Sequence, residues 1–255
     1  MRTVVFFGGN GHAAVRLLAA RGVLSRVGKP FEIVEAPYPG FEGRGDARDL
    51  SEFLATVSDA IRRHVDSRTD VRVYATGIGA LLALAVRAGG AFAPAPLVLQ
   101  GPVLWGLERR WMPRLARVGA AAVVPWLLAR PAFQRRFARR HFVVPPSPEA
   151  RDAFFEGYAR CSASADLFRW CGPAWLRELE SACARSPMAL EHVEVWWGGR
   201  DRVVGPAELR WTEAALGVRW PERTFPEWGH YPMLDDPEGW VRAVAAAAND
   251  EPAVT

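Results

Sequence analysis

At 255 residues the chain is long enough for one sizeable domain with a full core, and nothing in its length demands two. Half of its residues are hydrophobic and 24% are charged, which excludes a disordered or fibrous protein. The net charge of +4 is modest and the basic residues form no recognisable nucleic-acid motif, so no nucleic-acid partner is expected, whereas an acidic small molecule or an acyl carrier protein fits the balance. Three cysteines, Cys161, Cys171 and Cys183, with no CxxC pair, imply neither a disulfide framework nor a zinc site. The start MRTVVFFGG lacks the charged and apolar regions of a secretory signal, and the most apolar internal run, Val118 to Leu128, is too short to span a bilayer. A cytoplasmic protein with no membrane association is expected.

Thr3 to Phe7 reads as a buried strand running into the glycine-rich loop Gly8, Gly9, Asn10, Gly11. That loop narrowly misses the dinucleotide fingerprint, because Ala14 stands where a third glycine is needed. Phe31 to Ala36 reads as a second strand. Leu50 to Val65 has helical spacing (Leu50, Phe53, Leu54, Val57, Ile61, Val65), with Asp46 and Asp49 as candidate caps. Val71 to Val86, VRVYATGIGALLALAV, then passes from a β-branched run through a glycine-punctuated turn into a helical pattern. A further strand, Pro96 to Gln100, ends at Gly101 and Pro102.

From 103 to 190 the rhythm changes to helical patterns rich in Trp, Arg and Ala, interrupted by Pro113, Pro125, Pro131 and the Pro145, Pro146, Pro148 cluster. Its arginines (Arg109, Arg110, Arg114, Arg117, Arg135, Arg136, Arg139, Arg140) read first as the solvated faces of amphipathic helices and second as an anion-binding patch. Its large aromatics read mainly as core, with some lining a cavity. The strand rhythm returns at His192 to Trp197, followed by Gly199, Arg200 and Asp201, then a helix from Pro206 to Leu216. Val218 to Phe225 reads as the last strand, leading to Trp228, Gly229, His230 and a helix from Pro237 to Ala248. Alternating strands and helices predict an α/β protein with a mostly parallel sheet flanked by helices. The chain divides into a first part of the core, 1–102, an insertion, 103–190, and a second part of the core, 191–255.

The turn Ala75, Thr76, Gly77, Ile78, Gly79 has the frame of a nucleophile elbow, G-x-S-x-G, with glycine at the nucleophile position. An acid after a strand, Asp201, and a histidine after the last strand, His230, follow in order. The segments VYATGIGALLAL, VWWGGRDRVVGP and WGHYPMLDDPEGWVRAV resemble the α/β-hydrolase superfamily over nearly the whole chain. The resemblance implies an α/β-hydrolase fold with the insertion as a helical lid. It implies His230 as general base, Asp201 as its orienting carboxylate, and the N–H groups of Gly9 and Ile78 as oxyanion donors. Asn10, His12, Thr76 and Gly77 complete the oxyanion or substrate-binding candidates, although a side chain at Thr76, one residue before the apex, is expected to point away from the nucleophile's place. Nothing around the three cysteines marks a reactive thiol.

Without a nucleophile the acyl-enzyme route is closed, but a His/Asp pair remains a general base. The first reading is a cofactor-independent lyase acting on a small acidic natural-product intermediate. Its sharpest form, drawn from the resemblance, is elimination of acetate from an acetylated tetronate. The second is an esterase- or thioesterase-like hydrolase in which His230 activates water. The third is a catalytically silent binding protein that keeps the fold.

Overall fold

The structure, a computed structural model, describes residues 2–247 apart from 11, 12, 66, 67, 69, 93, 94, 119–122, 160 and 161. In chain order the first part of the core comprises β1 (Thr3–Phe7), α1 (Ala13–Arg26), β2 (Glu32–Glu35), α2 (Leu50–Val65), β3 (Val71–Gly77), α3 (Gly79–Ala88) and β4 (Leu97–Pro102). An inserted run of helices follows: α4 (Trp111–Arg117), α5 (Val123–Leu128), α6 (Pro131–His141), α7 (Pro148–Ala159), α8 (Ser162–Trp170) and α9 (Pro173–Arg185). The chain then completes the core with β5 (Val193–Gly198), α10 (Pro206–Leu216), β6 (Glu222–Phe225), α11 (Pro232–Asp235) and α12 (Pro237–Ala247). No described helix is long and apolar enough to cross a membrane.

The strands form one sheet in the order β2-β1-β3-β4-β5-β6, and each pairing is parallel. Side-chain alternation explains why helices cover both faces. Val5, Phe7, Val73, Ala75, Val195 and Trp197 pack on one face with α2 and α3, while Val4, Phe6, Tyr74 and Trp196 pack on the other with α1 and α12. On the second face Trp240 of α12 meets Tyr74 edge-on at 5.3 Å and Phe6 at 6.4 Å. Each such fully buried aromatic contributes about 1.5–3 kcal/mol from burial. Asp49 caps α2 as expected, accepting the Glu52 N–H at 2.9 Å, while Asp46 lies outside the first turn.

The last strand is shorter than the pattern Val218 to Phe225 suggests. Trp220 is buried and its N–H is taken by Glu213 at 3.0 Å, and Pro221 has no N–H to give a ladder, so pairing with β5 is limited to Glu222–Phe225. The prolines of the insertion stand at or near the breaks between its helices, where the sequence places interruptions, with Pro145 and Pro146 between α6 and α7. Pro131, Pro148 and Pro173 each begin a helix, and Pro113 and Pro125 lie in first turns, where the missing N–H has no intrahelical partner to lose.

The segment after α6 is tied to the core by Asp235 of α11, whose Oδ1 accepts the N–H groups of Val143 at 3.0 Å and Val144 at 3.2 Å. Burial raises this carboxyl from 3.8, and the N–H groups of Val144 and Val143 offset only part of that, leaving it at about 6. A folded value above the unfolded one means that the stabilisation is full below about 3.8 and is lost as pH rises through about 6. The Asp235→Asn protein, which keeps an acceptor oxygen but cannot ionise, is therefore expected to gain melting temperature relative to the native protein as pH rises through that window. A thermal-melt series across pH checks this, and a constant difference between the two proteins would refute it.

Candidate active site

The site forms where the carboxyl ends of β1, β3, β5 and β6 meet, the place at which a parallel sheet leaves a crevice between its loops. β3 ends at Gly77, which has φ +57°, and α3 starts two residues later. The sharp left-handed apex of the elbow is thus retained without its nucleophile. A Cβ on Gly77 would lie 3.5 Å from Gly9 Cα and 3.9 Å from His230 Nε2, ordinary contact distances that leave open the space a side chain would fill.

His230 follows β6 and is 5% exposed at its side chain; Asp201 follows β5 and is 1% exposed. Their atoms Nδ1 and Oδ2 are 2.9 Å apart. A carboxylate only accepts, so the Nδ1–H donates to Asp201 and Nε2, on the Gly77 side, carries the free lone pair. The other Asp201 oxygen accepts from the N–H groups of Val203 at 2.7 Å and Val204 at 3.2 Å. Burial pushes the Asp201 carboxyl up, but the field of His230 and these hydrogen bonds outweigh it and hold the group below its ordinary value. It stays a carboxylate at neutral pH.

One close approach makes this pairing possible. The register between β3 and β4 shifts after Thr76, and Gly101 sits there at φ +47°. A Cβ on Gly101 would be 3.0 Å from Asp201 Oδ2 and 3.3 Å from His230 Nδ1, against the pair itself.

The loop after β1 faces the same space. Tyr38 donates its hydroxyl to the Gly8 carbonyl at 2.8 Å, Arg16 donates to the Asn10 carbonyl, and Asn10 Nδ2 donates to the Ser164 carbonyl at 2.8 Å. These bonds fix the loop so that the N–H groups of Gly9 and Ile78 donate to no acceptor among the described residues. Two fixed donors beside a base can hold a developing oxyanion.

Core and insertion together enclose a cavity of about 800 Å³, whose lining includes Gly9, Asn10, Gly77, Ile78 and His230. These residues thus come together around one cavity, with Asp201 held against His230. Thr76 is corrected: it is fully buried below the elbow, does not line the cavity, and donates its hydroxyl to Gln100 Oε1 at 3.1 Å, because alternation along β3 turns it into the sheet. His12 and Cys161 lie outside the described residues. Cys171 and Cys183 are buried, and burial pushes both thiols up, Cys183 to about 11, so neither is a ready thiolate. Among the described residues no group of three or more His, Cys, Asp and Glu is placed to hold a metal ion.

Most of the inserted arginines are exposed, in keeping with a solvated face, but some of them also border the cavity. Arg109, Arg110, Arg136 and Arg140 line the cavity, while Arg114, Arg135 and Arg139 are exposed away from it. Two further lining residues escaped the sequence reading. Arg16 is 1% exposed and its guanidinium lies 5.1 Å over the Tyr231 ring. His141, at the end of α6, meets the His230 ring edge-on at 6.0 Å and stacks on Phe137. Its Nδ1–H donates to the Phe137 carbonyl at 2.9 Å, and burial, with the field of His230, pushes it down to about 3, so it is a neutral imidazole with Nε2 as acceptor. Neither had a local signal: Arg16 reads as a solvated helix cation and His141 as the basic end of a helix.

A parallel sheet with an elbow at β3, an acid loop after β5 and a histidine loop after β6 defines an α/β-hydrolase. The chain belongs to the Alpha/beta hydrolase family, whose model matches residues 4–244. No curated protein sequence matches the chain. Among solved structures it is similar to a loop variant of a haloalkane dehalogenase from Bradyrhizobium elkanii, with TM-score 0.69 and 19% identity over 97% of this chain and 88% of that one. It is also similar to a 2-hydroxy-6-oxo-6-phenylhexa-2,4-dienoate hydrolase from Rhodococcus sp. strain RHA1, with TM-score 0.66 and 18% identity over 96% and 89%. An N-formylmaleamic acid deformylase from Pseudomonas putida S16 has TM-score 0.57 and 16% identity over 95% and 91%. At these identities the likeness is one of fold.

Proposed function

We propose that this protein is a nucleophile-free hydrolase in which His230 activates water against an ester or thioester carbonyl, beneath the inserted helices acting as a lid. The observation that carries this reading is the open space between Gly77 and His230 Nε2, with 3.9 Å from the place of a Gly77 Cβ to the base. Water in that space gives one proton to Nε2 while its oxygen bonds to the carbonyl carbon. The carbonyl oxygen becomes an oxyanion facing the Gly9 and Ile78 N–H groups, and collapse breaks the bond to the leaving group, which takes the proton from His230. Asp201 holds the tautomer and balances the imidazolium. The hydrolase activities named for the Rhodococcus and Pseudomonas structures support hydrolysis over the lyase reading.

Elimination stands as the second reading, favoured by the same open space, which admits a substrate C–H in front of Nε2 as readily as water. There Nε2 takes the carbon-bound proton, a C=C bond forms and acetate leaves, as with an acetylated tetronate. One experiment separates the two. Incubated with an acetylated tetronate in water enriched in oxygen-18, a hydrolase places the label in the released acetate, because the acyl bond breaks. An eliminase releases unlabelled acetate with a methylene product, because the alkyl bond breaks. Labelled acetate that disappears in the His230→Ala protein is the expected result. Unlabelled acetate and methylene product would replace hydrolysis by elimination.

A further inference from the structure

The inward stripe of α6 alternates ring and cation along two turns: Phe133, Arg136, Phe137, Arg140 and His141 all line the cavity. The charges on this wall are not equally engaged. Arg110 is paired with Glu208 at 2.7 Å, and Glu208 is the only acid among the described residues of the lining. Arg109 lies 4.3 Å over the Trp211 ring and 3.5 Å from Glu108. Arg140 uses only Nε, donated to the Arg202 carbonyl at 2.9 Å. The Arg136 guanidinium makes no hydrogen bond or ion pair with any described residue. Arg136 and Arg140 are exposed and line the cavity, so they stand at its mouth, one helical turn apart, where side chains at i and i+4 are neighbours.

We infer that the cavity takes an amphiphilic anion, with an apolar or aromatic body among Phe133, Phe137 and Phe168 and a carboxylate or phosphate held between Arg136 and Arg140. Guanidinium forks suit the planar, paired oxygens of such groups, and hydrogen bonds between ionised partners are about twice as strong as neutral ones. Among the described lining residues, the surplus of positive charge over Glu208, already paired, draws an anion toward the mouth before any contact forms. The apolar walls behind it reward a substrate that is not itself a simple ion. This inference rests on the cavity being the substrate site of the proposed hydrolase, and it concerns binding rather than turnover.

The test is calorimetric titration of the full chain with 4-phenylbutanoate, 4-phenylbutyl phosphate and the neutral 4-phenylbutanamide. An anionic ligand is expected to bind about tenfold or more tightly than the amide, with an advantage that shrinks as salt is added. Comparing the carboxylate with the phosphate identifies which anion the fork prefers. The Arg136→Gln/Arg140→Gln protein is expected to lose the advantage while still binding the amide. The Arg135→Gln/Arg139→Gln protein, with the same change of charge on the outward side of the same helix, is expected to keep it. Equal affinity for amide and anions, no binding of any probe, or equal loss in both double variants would overturn the inference. A protein that discriminates the anions yet turns over no ester would overturn the hydrolase reading and leave this one standing.

Discussion

His230→Ala is expected to lower the rate of the catalysed reaction by about 10²–10⁴-fold, the range that a positioned general base supplies. Among the described residues Nε2 of His230 is the imidazole nitrogen that faces Gly77, since Nδ1 is held by Asp201 at 2.9 Å; His141, the other described imidazole of the lining, is a weak base, pushed down to about 3 by burial and by His230 itself. Asp201→Asn is expected to cost a large part of the same factor through a different route. An asparagine that keeps its oxygen on the Val203 and Val204 N–H groups turns its NH₂ toward Nδ1, which drives the proton to Nε2 and removes the lone pair from the reacting side. Initial rates of acetate release from the acetylated tetronate measure both effects, with thermal melts showing that each variant is folded. Unchanged rates in a folded His230→Ala protein would remove the dyad from the mechanism.

Gly77→Ser is expected to convert the site into one that reacts covalently. The added Cβ meets only Gly9 Cα at 3.5 Å and His230 Nε2 at 3.9 Å, so the hydroxyl, one bond further out, comes within reach of the base. At φ +57° a non-glycine residue costs about 1–2 kcal/mol, a loss of stability that a domain of this size tolerates. The variant is expected to gain the mass of one fluorophosphonate adduct and to show burst kinetics with activated esters, neither of which the native protein shows. It should lose the native reaction, because the hydroxymethyl group fills the space assigned to water or to the substrate C–H. A folded Gly77→Ser protein that is inert to fluorophosphonate would show that the base does not face the elbow.

Elements with a strong local pattern are legible in the sequence. The α2 segment shows six apolar residues at helical spacing and an aspartate that does cap it, and the elbow declares itself because a β-branched run, a glycine pair and an alanine-rich helix follow within a few residues. The acid and histidine loops were visible for the same reason, each being a short motif after a strand. Thr76 was legible as a residue turned away from the nucleophile's place, but its bond to Gln100 belongs to the sheet, 24 positions away in sequence.

The sequence alone therefore determined the order of strands and helices, the α/β class and the missing nucleophile, because these depend on local periodicity and on turn residues whose backbone demands are intrinsic. Only the tertiary structure decided that His230 and Asp201, separated by 29 positions, come to 2.9 Å, and that Gly101 clears the space for them. It alone sorted the inserted arginines into those that border the cavity and those that lie away from it. Periodicity states which residues share a helix face; what that face meets depends on long-range packing between distant segments, and that packing turned Arg136 and Arg140 toward the cavity while leaving Arg135 and Arg139 outside it.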